Sequence, residues 1–186
     1  MTTRVSLPGM RSPGAGFDQP FEMLDACHDR VRRSLDLLRR LRDYLRGHGH
    51  GHGCDDSARQ AARDVLRYFD IAAPLHHEDE ELHVFPPLLA QEHDAPLVTL
   101  VRQLQRDHVR MAERWATARG PLQAMADGQL PAFSAEHEAA LDGFAECYAD
   151  HLRHEDDSIY PAARALLDPG AQSAMGQEMA RRRGVR

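Results

Sequence analysis

The stretch HHEDEELHVFP, residues 76–86, contains three histidines and four acids followed by an aromatic-proline pair. A second stretch, HLRHEDDSIYP at residues 151–161, has the same length and ends in the same way. With the two endings aligned, a histidine and a glutamate four residues apart occupy the same positions in both copies. These pairs are His76 with Glu80 and His151 with Glu155. The repeat indicates that the four side chains share a role.

The other histidines of the first stretch are not repeated. His77 aligns with Leu152 and His83 aligns with Ser158, so we assign neither of them a shared role. Neighbouring residues of a helix point about 100° apart, and His76 and His77 are therefore not expected to face the core together.

The segments that precede the two stretches also repeat. ACHDRVRRSL at residues 26–35 resembles RDHVRMAERW at residues 106–115, and each places one histidine, His28 or His108, on an apolar stripe. Buried imidazoles and carboxylates carry a large desolvation cost unless something compensates them. On a helix, residues i and i+4 lie about 40° and 6 Å apart, so a histidine and a glutamate at that spacing can contact one ion. We therefore predict a metal pair, with these candidate ligands: His28, His76, Glu80, His108, His151 and Glu155.

Helical periodicity extends over most of the chain. Apolar residues recur every three or four positions over residues 21–46, 57–90, 97–122 and from Ser134 to Ile159, and we find no convincing strand. The sequence therefore predicts an all-α fold, an antiparallel up-down-up-down four-helix bundle built from two helix-hairpin repeats. We expect Pro74 to kink the second helix and Pro86-Pro87 to bend or end it.

The predicted domain organisation has three parts. Residues 1–20 are rich in proline and glycine and predict a flexible N-terminal arm, residues 21–168 the bundle, and residues 169–186 a C-terminal tail with a solvated basic end. The GHGHGHG loop at residues 47–53 is interpreted as a flexible connection, with weak metal capture as the alternative.

Composition excludes several classes of protein. The chain has 186 residues, enough for one domain, and a formal net charge of −6 without a basic patch, which argues against nucleic acid as a partner. The three cysteines form no CxxC motif or disulfide framework, and no apolar run is long enough to cross a membrane. We therefore expect a cytoplasmic protein that does not associate with membranes. The sequence makes no prediction of oligomeric state.

The combined pattern resembles the hemerythrin-like HHE cation-binding domain family over about residues 21–168. The resemblance implies a four-helix bundle around a pair of non-haem irons, with an oxo or hydroxo bridge. It also implies that the four histidines are terminal ligands and that Glu80 and Glu155 are bridging ligands. The last motif of the oxygen carriers is HxxxxD, so Asp156 remains an alternative to Glu155. Manganese or zinc could replace iron.

One departure from the oxygen-carrying hemerythrins bears on function. Those proteins have a further histidine four residues after the one on the third helix, and this chain has Ala112 there. The implied ligand set leaves about two coordination positions open, which favours binding or redox handling of oxygen, nitric oxide or peroxide over reversible oxygen storage. Whether the protein turns over a substrate as an enzyme is left open. The alternatives are an iron store, an iron or oxygen sensor without turnover, and a bundle with structural zinc.

Overall fold

Four helical rods carry the apolar stripes of the sequence. The computed structural model describes residues 16–47 and 54–185, and within these residues the chain is all-helical, with no strand. The first rod is α1 (Pro20–Gly47), and the third is α5 (Ala95–Ala126). The second comprises α2 (Asp56–Arg67), a π-helical turn (Tyr68–Ala72), α3 (Ala73–Asp79), a π-helical turn (Glu80–Val84) and α4 (Phe85–Leu89). The fourth comprises α6 (Ala135–Ala145), α7 (Ala149–His154), a π-helical turn (Glu155–Ile159) and α8 (Tyr160–Leu166).

The second, third and fourth rods begin at polar residues that cap free backbone N–H groups. Asp55 accepts a hydrogen bond from the N–H of Ala58, and Asp94 caps α5 in the same way. Ser134 caps α6, and the side chain of His137 completes a capping box with it. The predicted arm lies mostly in residues 1–15 and the GHGHGHG loop mostly in residues 48–53, both outside the described residues. None of the described helices is long and apolar enough to cross a membrane.

Each π-helical turn ends two residues before a proline. Proline has no N–H and its ring clashes with the carbonyl four residues earlier, so the regular α-helical bond is unavailable there. The residue before each proline bonds instead to the carbonyl five residues back, as Phe85 does to Glu80 and Tyr160 to Glu155. The second rod therefore continues through Pro86 to Leu89.

The π-helical turns change which side chains face the interior. In an α-helix, a residue five positions onward points about 140° away. The i to i+5 bonding of a π-helical turn brings that residue close to the face of the first one. Phe85 is therefore buried, as Glu80 is, and Tyr160 is buried, as Glu155 is.

The interior consists of two apolar clusters with a polar layer between them. His28 lies in sequence between Leu24, which belongs to one cluster, and Val31, which belongs to the other. His108 lies in the same way between Leu104 and Met111. One cluster includes Val31, Leu38, Phe69, Met111 and Phe144, and the other Phe21, Leu24, Phe85, Leu104 and Ile159.

The segment predicted to be a solvated tail forms a further helix, outside the four rods. Helix α9 (Pro169–Arg182) packs on the bundle through Met175 and Met179, both buried. Arg182 and Arg183 at its end form ion pairs with the fully buried carboxylate of Asp79. The expectation of a solvated basic end was wrong because these cations neutralise an acid that would otherwise be buried without a partner.

We predict that Gly176→Ala destabilises the fold by detaching α9. A Cβ atom at Gly176 would lie 1.8 Å from the carbonyl oxygen of Phe17, so the helix must move. The expected loss in the free energy of unfolding is about 1–3 kcal/mol, measured by urea denaturation. Gly120→Ala is the control, because a Cβ there meets nothing within 4 Å and adds helix propensity. Equal stability of the two variants would contradict the packing of α9.

Candidate metal centre

All six predicted ligands come together in the polar layer. Each of these side chains belongs to a residue that is at most 8% exposed. Their donor atoms form two groups, and within each group the atoms lie within 4.8 Å of one another. One group contains His28, His76, Glu80 and Glu155, and the other contains Glu80, His108, His151 and Glu155.

The two glutamates belong to both groups because each glutamate directs one carboxylate oxygen toward each group. Glu80 Oε1 is 3.5 Å from His76 Nε2, and its Oε2 is 3.3 Å from His108 Nε2. Glu155 Oε2 is 3.2 Å from His28 Nε2, and its Oε1 is 3.0 Å from His151 Nε2. Carboxylates placed in this way can each bridge two ions, as in carboxylate-bridged metal pairs.

The geometry of the donor atoms suits binding of two cations better than it suits hydrogen bonds among the donor atoms themselves. Among the described residues, buried atoms without a hydrogen bond include both oxygens of Glu155, Oε2 of Glu80 and Nε2 of His108 and of His151. These atoms are close to each other, but their angles do not suit hydrogen bonds, as expected for lone pairs directed at a point between them. Buried polar atoms left in this state cost about 1–3 kcal/mol each. A cation in each group would remove that cost.

In the metal-free protein, protonated imidazoles supply the positive charge of the centre. Burial lowers the pKa of His28, but hydrogen bonds to acids, first among them Asp156, outweigh it and raise that pKa to about 11. Burial likewise opposes protonation of His108, but the nearby carboxylates of Glu80 and Glu81 outweigh it and raise the pKa of His108 to about 10. Burial would raise the pKa of Glu80, yet the nearby imidazoles, first His76, hold it well below its usual range. In the metal-free protein the cluster is therefore a network of buried ion pairs. A metal must displace the imidazole protons in order to bind.

Two further acids orient two of the imidazoles through contacts with their Nδ1 atoms. Asp156 Oδ1 lies 2.6 Å from His28 Nδ1, and Glu81 Oε1 lies 2.9 Å from His108 Nδ1. Such contacts leave the Nε2 atoms directed at the metal site and make the imidazoles better ligands. Glu155, and not Asp156, therefore contributes its carboxylate to the two groups. Asp156 was considered from the sequence only as an alternative ligand to Glu155, and the orienting role of Glu81 and Asp156 was not predicted.

His77 lies closer to the centre than the sequence indicated. Its ring stacks on His108, with centroids 4.1 Å apart and planes at 13°. Burial and the charge of His108 hold the pKa of His77 well below its usual range. His77 belongs to neither donor group, so it packs against a candidate ligand without joining the set. His83 instead contacts Glu178 on α9.

Comparison with known proteins agrees with this geometry. Residues 19–163 match the hemerythrin HHE cation-binding domain. The chain belongs to that family. An uncharacterized protein of Haemophilus influenzae is 32% identical over 173 residues, which cover 92% of this chain and 94% of that protein. The hemerythrin domain match includes all six candidate ligands and ends before α9.

We predict that Asp156→Ala weakens metal binding because His28 loses the acid that orients it. The expected loss of affinity is about 10–100-fold, measured by competition with a chelator. Asp157→Ala is the matched control, since Asp157 is exposed. If the two variants bind metal equally well, Asp156 has no such role.

We also predict that metal binding releases protons. At about pH 8, His28 and His108 are protonated in the metal-free protein, and both must lose a proton to bind a metal through Nε2. Binding of a divalent metal should release about two protons and should strengthen as the pH rises toward about 10. Calorimetry in buffers of different ionisation enthalpy measures this number. If metal binding releases no protons, the imidazoles are already neutral in the metal-free protein.

Proposed function

We propose that this protein is a non-haem di-iron protein that binds, or carries out redox chemistry on, oxygen, nitric oxide or peroxide. The observation that supports the proposal is the pair of overlapping donor groups joined by two carboxylates, all buried. In this proposal the iron pair carries an oxo or hydroxo bridge. His28 and His76 would hold one iron, His108 and His151 would hold the other, and Glu80 and Glu155 would be shared by both.

The donor set favours iron over structural zinc. Structural zinc sites are tetrahedral and closed, and they use four nitrogen or sulfur ligands. Here each group offers two imidazoles and two carboxylate oxygens, and the carboxylates are shared. Mixed nitrogen and oxygen donors with shared carboxylates suit two six-coordinate ions such as iron or manganese.

The proposed arrangement of the rods is the antiparallel four-helix bundle. Arg164 in α8 pairs with Glu22 at the start of α1, and Glu138 near the start of α6 pairs with Arg46 at the end of α1. The first and fourth rods therefore run in opposite directions. Such a bundle lets facing helices supply ligands to a centre between them.

The chain contributes position, charge balance and an apolar surrounding. An iron pair, when bound, supplies two one-electron centres and open coordination positions for a small ligand. The two carboxylates and the buried imidazoles hold the irons close together, and Asp156 and Glu81 fix the orientation of two imidazoles. The apolar clusters on either side limit the access of water. These properties suit small uncharged ligands better than large substrates.

We predict that the iron-loaded protein has a visible spectrum that bleaches with dithionite, and that the reduced protein responds to oxygen, nitric oxide or peroxide. Glu80→Gln should lower iron occupancy at both positions, because a bridging ligand serves both, and should abolish the response. Glu113→Ala, an exposed acid outside the cluster, is the control. Metal analysis and absorption spectra measure both effects.

The alternatives give different results. An iron store or iron sensor takes up iron but shows no reaction with the three ligands after reduction, and it releases iron readily to a chelator. An oxygen sensor responds to oxygen without turnover. A structural zinc bundle retains zinc and shows no spectrum to bleach. Loss of only one iron in Glu80→Gln would show that Glu80 is a terminal ligand.

A further inference from the structure

The two halves of the centre differ at the buried aromatic position before the repeated proline. The repeat places Tyr160 in the second half where the first half has Phe85. Phe85 stacks against His108, with ring centroids 5.5 Å apart. Tyr160 stacks in the same way against His28, at 4.9 Å. The rings are therefore equivalent, and the difference between the halves at this position is the phenol hydroxyl.

That hydroxyl lies among the donor atoms of one group. Tyr160 Oη is 2.8 Å from His28 Nε2 and donates a hydrogen bond to Glu80 Oε1. His28 Nδ1 is occupied by Asp156, so Nε2 is the nitrogen available to a metal. Neighbouring ligands of a six-coordinate ion, each bound at about 2.0–2.2 Å, lie about 3 Å apart. The phenol oxygen has the spacing of such a neighbour.

We propose that Tyr160 is a further ligand of the iron held by His28 and His76, which makes the two irons inequivalent. This inference rests on the proposed di-iron function. When iron binds His28 Nε2, that nitrogen can no longer form a hydrogen bond with the phenol. The loss of a hydrogen-bond partner by a fully buried hydroxyl costs free energy. Ferric iron replaces the lost partner, and the phenol proton passes to the buffer as the oxygen–iron bond forms.

The extra ligand changes where a small molecule can bind. The six original ligands and the bridge leave about two positions open, one on each iron. Tyr160 fills the position on the iron of His28 and His76. The remaining open position is then on the iron of His108 and His151, and the ring of His108 stacks on that of His77. Oxygen, nitric oxide or peroxide would bind to that iron.

The test uses the full chain loaded with ferric iron, as wild type, Tyr160→Phe and Tyr148→Phe. Phenylalanine fits this position, as Phe85 shows in the other half, and Tyr148 is a buried tyrosine on the same rod that packs against Phe69 and Phe144. We expect a visible tyrosinate-to-iron charge-transfer band, with tyrosine ring modes in the resonance Raman spectrum, in wild type and Tyr148→Phe. The band should be lost in Tyr160→Phe while iron content is unchanged.

A titration with azide tests the open position separately. Wild type should bind about one azide per iron pair, and Tyr160→Phe about two, because the variant exposes a second position. Iron uptake without the band, or a band that persists in Tyr160→Phe, overturns the ligand assignment but leaves the proposed function standing. Failure to take up ferric iron overturns both. A tyrosinate band in a protein that does not respond to oxygen, nitric oxide or peroxide supports the ligand and contradicts the function.

Discussion

The structure depends on one electrostatic constraint, which is that four imidazoles and two carboxylates lie in an apolar interior. Isolated charges in such a place are expensive, and pairing them repays the cost only when the geometry is good. In the described residues the six groups are within a few ångströms of one another, and several of their atoms still make no hydrogen bond. Two cations, as we propose, would complete the arrangement. The rest of the bundle positions the six groups and protects them from water.

Prolines and π-helical turns connect the sequence to this centre. A proline follows each aromatic residue that ends a repeated stretch, and it prevents the regular helical bond at that point. The resulting π-helical turn brings Phe85 and Tyr160 onto the interior face, where each stacks on a histidine. The aromatic-proline pair is therefore part of the site. It determines what lies directly beside the ligands.

The six candidate ligands were predictable because the chain contains the pattern twice. Alignment separates His76 and Glu80 from their neighbours without any structure, and the inward stripes place His28 and His108 beside them. The roles of the neighbours were less predictable, because they depend on distant segments. Asp79 is neutralised by Arg182 and Arg183, a hundred residues later, and His77 is placed by its stacking on His108. Helix α9 was missed because its buried surface rests on two methionines within a polar segment.

The most direct test of the account is an anomalous-difference map, recorded at the iron absorption edge, from crystals of protein purified without added metal. The account predicts two iron peaks about 3.5–4 Å apart, one between the side chains of His28 and His76 and the other between those of His108 and His151, with Glu80 and Glu155 spanning both. A single peak, or peaks outside the polar layer, would contradict it.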